Sequence, residues 1–348
     1  MRPPIAFFSM AQEGHFRRLC PLIADVARRG VPAHVFTHRR FQGEVERAGG
    51  SFVDLFAEHP LEEVDGASLP VPCRFVSFAG FHAEKIAARL REIGARAVVY
   101  DTFAVVGYVA AILADVPYVN VCAGHNVDPA RFVPLLETES RIEISPSCRQ
   151  AVEILRSRHG LTDASPFSFI KTQSPHLNLY CEPEAYVTEA ERRPFEPLAF
   201  YGSLPALEDI EKMNDERRSP YFEDGTRGLK VYASVGTVAW RYHRAAALAV
   251  LQRVAEAVAE TPGCRAVISL GRAELADDER RSLARPNVSV HDYVDQWAVL
   301  READVFMTHH GLNSTHEAVF NEVPMISYPI SWDQPSLARK CQEFAFAL

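Results

Sequence analysis

Short apolar runs alternate along the first half of the chain with stretches where apolar residues return every three or four positions. Ile5-Ala6-Phe7-Phe8 is unbroken and apolar, the pattern of a strand buried on both faces of a parallel sheet. After a loop, Leu19, Leu22, Ile23 and Val26 recur at helical spacing up to Gly30, a residue suited to a C-cap. Val35-Phe36 falls in the next strand. Ile86, Leu90 and Ile93 mark a helix that stops at Gly94. Ala97–Tyr100 is a further buried strand with Asp101 at its carboxyl end. A helix of small residues (Val105–Leu113) and a strand (Tyr118–Val121) follow. The stretch from Ala123 to Ser174 has no regular hydrophobic period.

The second half repeats this alternation. Leu229–Ser234 reads as a strand that ends in the loop Val235-Gly236-Thr237. Leu248, Leu251, Val254 and Val258 give an amphipathic helix, and strands follow at Ala266–Leu270, Val288–Val290 and Val305–Met307. Strand-helix alternation throughout predicts an α/β fold of two doubly wound parallel sheets. The charged stretch from Glu208 to Arg218, flanked by Pro205 and Pro220, reads as the linker. The expected division is 1–204 for the first domain, 205–227 for the linker and 228–348 for the second. Two such domains would face a cleft, and ligands bind at the carboxyl ends of strands in sheets of this kind.

Composition narrows the class without changing this picture. The chain has 348 residues, 47% hydrophobic and 24% charged, an ordinary globular profile. Its net charge of −8 argues against nucleic acid as a main partner. No apolar run is long enough to span a membrane. The seven cysteines are widely spaced with no CxxC pair, which suits free thiols and a cytoplasmic setting.

The strand-end loops carry the candidate chemistry. No strand is followed by GxGxxG, and GxxxxGK[ST], HExxH and GxSxG are absent, so dinucleotide oxidoreductases, P-loop enzymes and common hydrolases are disfavoured. There is no Asp-x-Asp pair to bridge a metal to a diphosphate. The informative segment is Thr308-His309-His310-Gly311-Leu312-Asn313-Ser314-Thr315-His316-Glu317, followed by Val323-Pro324 and Asp333-Gln334. A helix starting near Asn313 or Ser314 would offer unpaired N–H groups to a diphosphate, and Gly311 would let the backbone approach it. Ser314-x-x-Glu317 also matches a capping box, which needs no ligand. In the first half, Gly14-His15 precedes the Leu19–Val26 helix. His15 could serve as a general base with Asp101 as its carboxylate partner, or the two could be ordinary helix caps.

Taken together, His-x-Gly-x-Asn-Ser-x-x-Glu and the acid-Gln pair sixteen residues on resemble the donor signature of the family 1 glycosyltransferases, which include bacterial macrolide and antibiotic enzymes and plant secondary-metabolite enzymes. The resemblance implies the GT-B fold of two facing Rossmann-like domains. It also implies an inverting O-glycosyltransferase that moves sugar from a UDP- or TDP-sugar to a small-molecule hydroxyl. By it, His309, Asn313 and Ser314 would hold the diphosphate with the backbone of Gly311 and Leu312, and Glu317 would hold the ribose. Asp333 and Gln334 would bind sugar hydroxyls. Tyr293-Val294-Asp295-Gln296 falls where the family has Trp-x-Pro-Gln, so Tyr293 would stack on the base and Gln296 would reach the ribose. Gly236-Thr237 resembles the family's Gly-Ser near the phosphates. Gly14-His15 matches the family's Gly-His, which makes His15 the base and Asp101 its partner.

The departures are Arg18 for a family Pro, Asp295 for the Pro of Trp-x-Pro-Gln, and Glu322 for the Gly before Val-Pro. Acceptor candidates are Phe78, His82, His125 and Phe132. No metal or other cofactor is expected, the nucleotide sugar being a co-substrate, and a monomer or homodimer would suffice. Family members usually carry terminal helices beyond the point where this sequence stops, and the chain is expected to lack them. A nucleotide-sugar-binding auxiliary protein without activity and a GT-B sugar-nucleotide epimerase are the alternatives.

Overall fold

The computed structural model describes residues 2–61, 72–122, 128–201, 221–222, 228–330 and 333–348. The chain divides into two compact units, Met1–Gly202 and Ser203–Leu348.

In the first unit the elements run β1 (Ile5–Phe8), α1 (Glu13–Arg28), β2 (Ala33–Thr37), α2 (Gln42–Arg47), β3 (Ser51–Asp54), α3 (Arg74–Glu92), β4 (Ala97–Asp101), α4 (Val105–Ala114) and β5 (Tyr118–Cys122). They continue with α5 (Pro129–Glu137), α6 (Pro146–Ser157), β6 (Leu177–Tyr180), α7 (Glu189–Arg192) and β7 (Leu198–Phe200). The seven strands form one sheet in the order β3-β2-β1-β4-β5-β6-β7, every pair parallel. The inner strands are apolar because helices cover both faces of a doubly wound sheet: Ala6, Phe7 and Phe8 of β1 and Val98 and Tyr100 of β4 are fully buried.

The second unit comprises β8 (Lys230–Ser234), α8 (Val238–Tyr242), α9 (Arg244–Glu260), β9 (Arg265–Ser269), α10 (Asp277–Leu283), β10 (Val288–His291), α11 (Gln296–Leu300), β11 (Val305–Thr308), α12 (Leu312–Phe320), β12 (Met325–Ser327) and α13 (Gln334–Glu343). Its five strands are also all parallel, in the order β10-β9-β8-β11-β12. Leu251, Ala255, Ile268, Leu270 and Met307 anchor the core between α9 and this sheet.

Strand order reverses once in each sheet, between β1 and β4 in the first and between β8 and β11 in the second. Such a reversal parts the loops at the strands' carboxyl ends and opens a crevice, the usual ligand position in open α/β sheets.

Both units are the Rossmann-like sheets that the alternation predicts, with differences in detail. α1 starts at Glu13, so Gly14 and His15 lie in its first turn and not in a loop ahead of it. The stretch from Ala123 to Ser174 contains α5 and α6. Each begins at a Pro in its first turn and is capped by a side chain, Asp128 and Ser145, and caps of this kind are legible where an apolar stripe is broken. β3, β6, β7 and β12 are three or four residues long, too short for a visible period. Most of the stretch read as linker lies outside the described residues. Tyr221 and Phe222 at its end are docked on the second unit, their N–H groups donating to the Glu302 carboxylate at 3.1 and 3.0 Å.

Candidate active site

At the reversal in the first sheet, β4 ends on Asp101, whose side chain is 0% exposed. Asp101 Oδ1 accepts the N–H of Phe103 at 2.9 Å and faces Nδ1 of His15 at 3.1 Å. The His15 side chain is 19% exposed. A carboxylate at Nδ1 favours the tautomer with the proton on that atom, which leaves Nε2 with a free lone pair to accept another. The plain capping readings do not hold here. Gln12 occupies the N-cap of α1, and Ala104 that of α4. His15 and Asp101, 86 positions apart in sequence, meet because β1, which leads into α1, pairs with β4.

One residue at this site was not legible in the sequence. The Phe103 ring lies flat on the His15 imidazole, with centroids 4.1 Å apart and planes 19° apart. Phe103 is itself flanked by Phe75 at 5.5 Å and by Phe169, edge-on, at 5.8 Å. An aromatic two positions after a strand-end acid is a weak signal, since it also suits plain packing.

At the reversal in the second sheet, β8 runs into Gly236-Thr237 and β11 into His309-His310-Gly311. His309 is 8% exposed. A Cβ added to Gly236 or to Gly311 would lie 2.5 Å from its Nε2, so the ring fits between two residues that have no side chain. Gly236 also takes φ +69°, in the left-handed region that glycine favours. Burial, and secondarily the neighbouring His310, push the His309 imidazole down to about 4, with the Ser234 backbone pulling weakly upward. The ring is therefore neutral near pH 7, with one N–H to donate.

His310 adopts φ +59°, uncommon outside glycine, and is fully buried. Its Nε2 lies 2.8 Å from Ser327 Oγ on β12, and its Nδ1 lies 3.3 Å from Thr315 Oγ1 on α12. These contacts pin the turn that sets His309 and the start of α12. Burial holds this ring too at about 4.

Helix α12 starts at Leu312, slightly earlier than the sequence pattern predicts, with Gly311 as an N-cap lacking a side-chain cap. Ser314 and Glu317 both lie inside the helix, which excludes the capping box. They meet Gln296 instead: its Nε2 donates to Glu317 Oε2 at 2.6 Å and to Ser314 Oγ at 3.2 Å. The Tyr232 hydroxyl donates to Gln296 Oε1 at 3.3 Å. Gln296 thus ties the start of α11 to α12 and orients both polar side chains.

Asp295, where the family has Pro, caps α11 by accepting the N–H groups of Trp297 and Ala298. It thereby supplies the turn that the proline would have preset. Tyr293 is 47% exposed, with the Arg272 guanidinium 4.5 Å from its ring centroid, while Val294 is buried. Asp333 occupies the N-cap of α13, and the buried Gln334 uses Oε1 to accept the Ile330 N–H at 2.9 Å.

Two of the acceptor candidates, Phe78 and His82, meet on α3 with ring centroids 4.7 Å apart. Phe78 is buried in α3 against Phe56, ring centroids 5.1 Å apart. His82 stacks on His59 at 4.1 Å, and burial, His59 and Lys85 together hold it at about 4. Phe132 is half-buried on α5, and His125 lies outside the described residues. Among the described residues no three His, Cys, Asp or Glu side chains converge as metal ligands would. Nor is any described helix long and apolar enough to cross a membrane.

Comparison with known proteins places this geometry in context. Residues 199–346 match the family model described as UDP-glucoronosyl and UDP-glucosyl transferase. The UDP-glucosyltransferase YdhE of Bacillus subtilis, itself uncharacterized, is 23% identical over 97% of this chain and 83% of its own length. The glycosyltransferase of kitacinnamycin superposes with a TM-score of 0.73 at 20% identity, covering 99% of this chain and 85% of that one. The glycosyltransferase VinC, solved in complex with DTDP, superposes with a TM-score of 0.63 at 17% identity, covering 100% and 86%. The fold is GT-B.

Proposed function

We propose that this chain, which belongs through the domain at residues 199–346 to the family 1 glycosyltransferases, is an inverting O-glycosyltransferase using a UDP- or TDP-sugar. The observation that carries the reading is the His15–Asp101 pair at the first switch point, where a buried carboxylate meets a half-buried imidazole. Nε2 of His15 takes the proton of an acceptor hydroxyl, and Asp101 stabilises the imidazolium that results. The oxygen attacks the anomeric carbon as the bond to the diphosphate breaks on the opposite face. The configuration at that carbon therefore inverts.

The second unit holds the donor. The N–H groups at the start of α12, at Leu312 and Asn313, face the diphosphate together with Gly236, Thr237 and Ser314, and His309 donates its N–H as a neutral group. Tyr293 stacks on the base, with Val294 packed beneath its loop. Glu317 and Gln296 receive the ribose, and Asp333 and Gln334 receive sugar hydroxyls. The glycosyltransferase VinC, solved in complex with DTDP, supports a thymidine donor as one of the two choices. The acceptor is a small secondary metabolite held by the first unit, with Phe78, His82, His125 and Phe132 as candidate contacts. The scheme routes no step through a metal, and the seven free cysteines suit a reducing cytoplasm.

The test is incubation with UDP-glucose or TDP-glucose, with and without a panel of small phenols and macrolide aglycones. β-Linked product from an α-linked donor supports the reading. Epimerised donor without acceptor would instead assign the chain to the epimerases, and nucleotide binding with no turnover of any kind would assign it an auxiliary role.

A further inference from the structure

We infer that Phe103 is a positioning residue for His15: it fixes the plane of the imidazole while its own backbone fixes the carboxylate that the imidazole faces. This inference rests on His15 acting as the general base. The hydrogen bond from Nδ1 to Asp101 Oδ1, at 3.1 Å, together with the covalent tie at Cβ, holds the ring only as firmly as a bond that tolerates bending by about 30°. Within that range χ1 and χ2 of His15 can swing Nε2 through an arc and draw Nδ1 off the carboxylate. The flat contact with Phe103, 4.1 Å between centroids and 19° between planes, removes that freedom. Point and plane together set the direction of the Nε2 lone pair, which is what proton transfer requires.

The clamp is itself held. Phe75 and Phe169, both buried, brace the Phe103 ring on other sides. The Phe103 N–H donates at 2.9 Å to the same Oδ1 that faces His15, so one residue orders both members of the pair. A side chain at position 103 that lacked a flat face would preserve the backbone bond to Asp101 and release only the ring. That makes the two contributions separable by mutation.

Two variants of the full chain test this, Phe103→Leu and Phe103→Tyr. The primary readout is the neutral tautomer of His15 from side-chain 15N shifts in the free protein, which needs neither donor nor acceptor. Wild type and Phe103→Tyr should hold the Nδ1–H form. Phe103→Leu should move population toward the Nε2–H form, which cannot accept a proton at Nε2. With TDP-glucose or UDP-glucose and a phenol found to be glycosylated, Phe103→Leu should lower kcat by about tenfold to a hundredfold, donor KM unchanged, and Phe103→Tyr should restore it. In a His15→Ala background Phe103→Leu should add no further loss. Unchanged tautomer populations and kcat in a folded Phe103→Leu would overturn the inference while leaving the base assignment standing. Full turnover in His15→Ala would overturn the base assignment itself.

Discussion

His15 and His309 each stand beside the switch point of their own parallel sheet, yet their surroundings differ in every respect that governs proton chemistry. His15 is partly open to solvent, faces a carboxylate through Nδ1 and lies against one aromatic face. His309 is almost wholly enclosed, sits between two glycines, and is held at about 4 by burial and by a second histidine. A carboxylate partner orients an imidazole and fixes its tautomer; a dry pocket without one keeps it neutral. His15 follows the first strand of its sheet and His309 follows the strand across the switch point of the other. On the proposed function they take opposite tasks, proton transfer in the first unit and fixed hydrogen-bond donation in the second.

The largest effect expected on this contrast is from His15→Ala. Turnover should fall by about 10²–10⁴-fold, the usual contribution of a general base, while calorimetric affinity for UDP or TDP stays unchanged. Asp101→Asn should follow, with a loss of about 10²-fold or more, because an amide can present its N–H to Nδ1 and favour the wrong tautomer. Comparing pH–rate profiles of the two variants would sharpen the division of labour between ring and carboxylate.

On the other side, Gly311→Ala places a methyl 2.5 Å from His309 Nε2 at a residue with ordinary extended backbone angles. The cost is therefore steric displacement of the ring and not backbone strain. Nucleotide affinity should weaken by about tenfold, roughly 1.4 kcal/mol, with the His15 15N signals unmoved. A Gly311→Ala protein that bound nucleotide as well as wild type would break the comparison at its second term.

A separate effect concerns stability. Because burial lowers the folded-state values of His309 and His310 to about 4, the unfolded chain protonates first as pH falls. Their contribution is intact above the ordinary value of 6.5 and is lost progressively down to about 4. Urea midpoints should fall over that window. His309→Gln should flatten the fall by an amount on the order of 1–3 kcal/mol.

The places of Asp101, His309 and Gly311 at strand ends were legible, because an apolar strand stops there and a polar or small residue begins. The partnership of Gln296 with Ser314 and Glu317 was hidden, since it joins two helices that only the sheet brings together. Ser314 and Glu317 also imitated a cap, and only the start of α12 at Leu312 separates the two readings. Phe103 was missed because an aromatic ring has no sequence mark that distinguishes packing from positioning. α5 and α6 are marked by their starts, Asp128-Pro129 and Ser145-Pro146, more than by an apolar period. On the acceptor side, Phe78 and His82 are neighbours on α3 with ring centroids 4.7 Å apart, and Phe78 is buried.

On the proposed function the two switch points divide the work, with chemistry at His15 and nucleotide binding at His309. The most direct single measurement is titration calorimetry of UDP and TDP into wild type, His15→Ala and His309→Ala. One of the two nucleotides should bind wild type and His15→Ala with the same affinity and His309→Ala at least about tenfold more weakly. Equal binding to wild type and His309→Ala, or binding lost in His15→Ala, would contradict it.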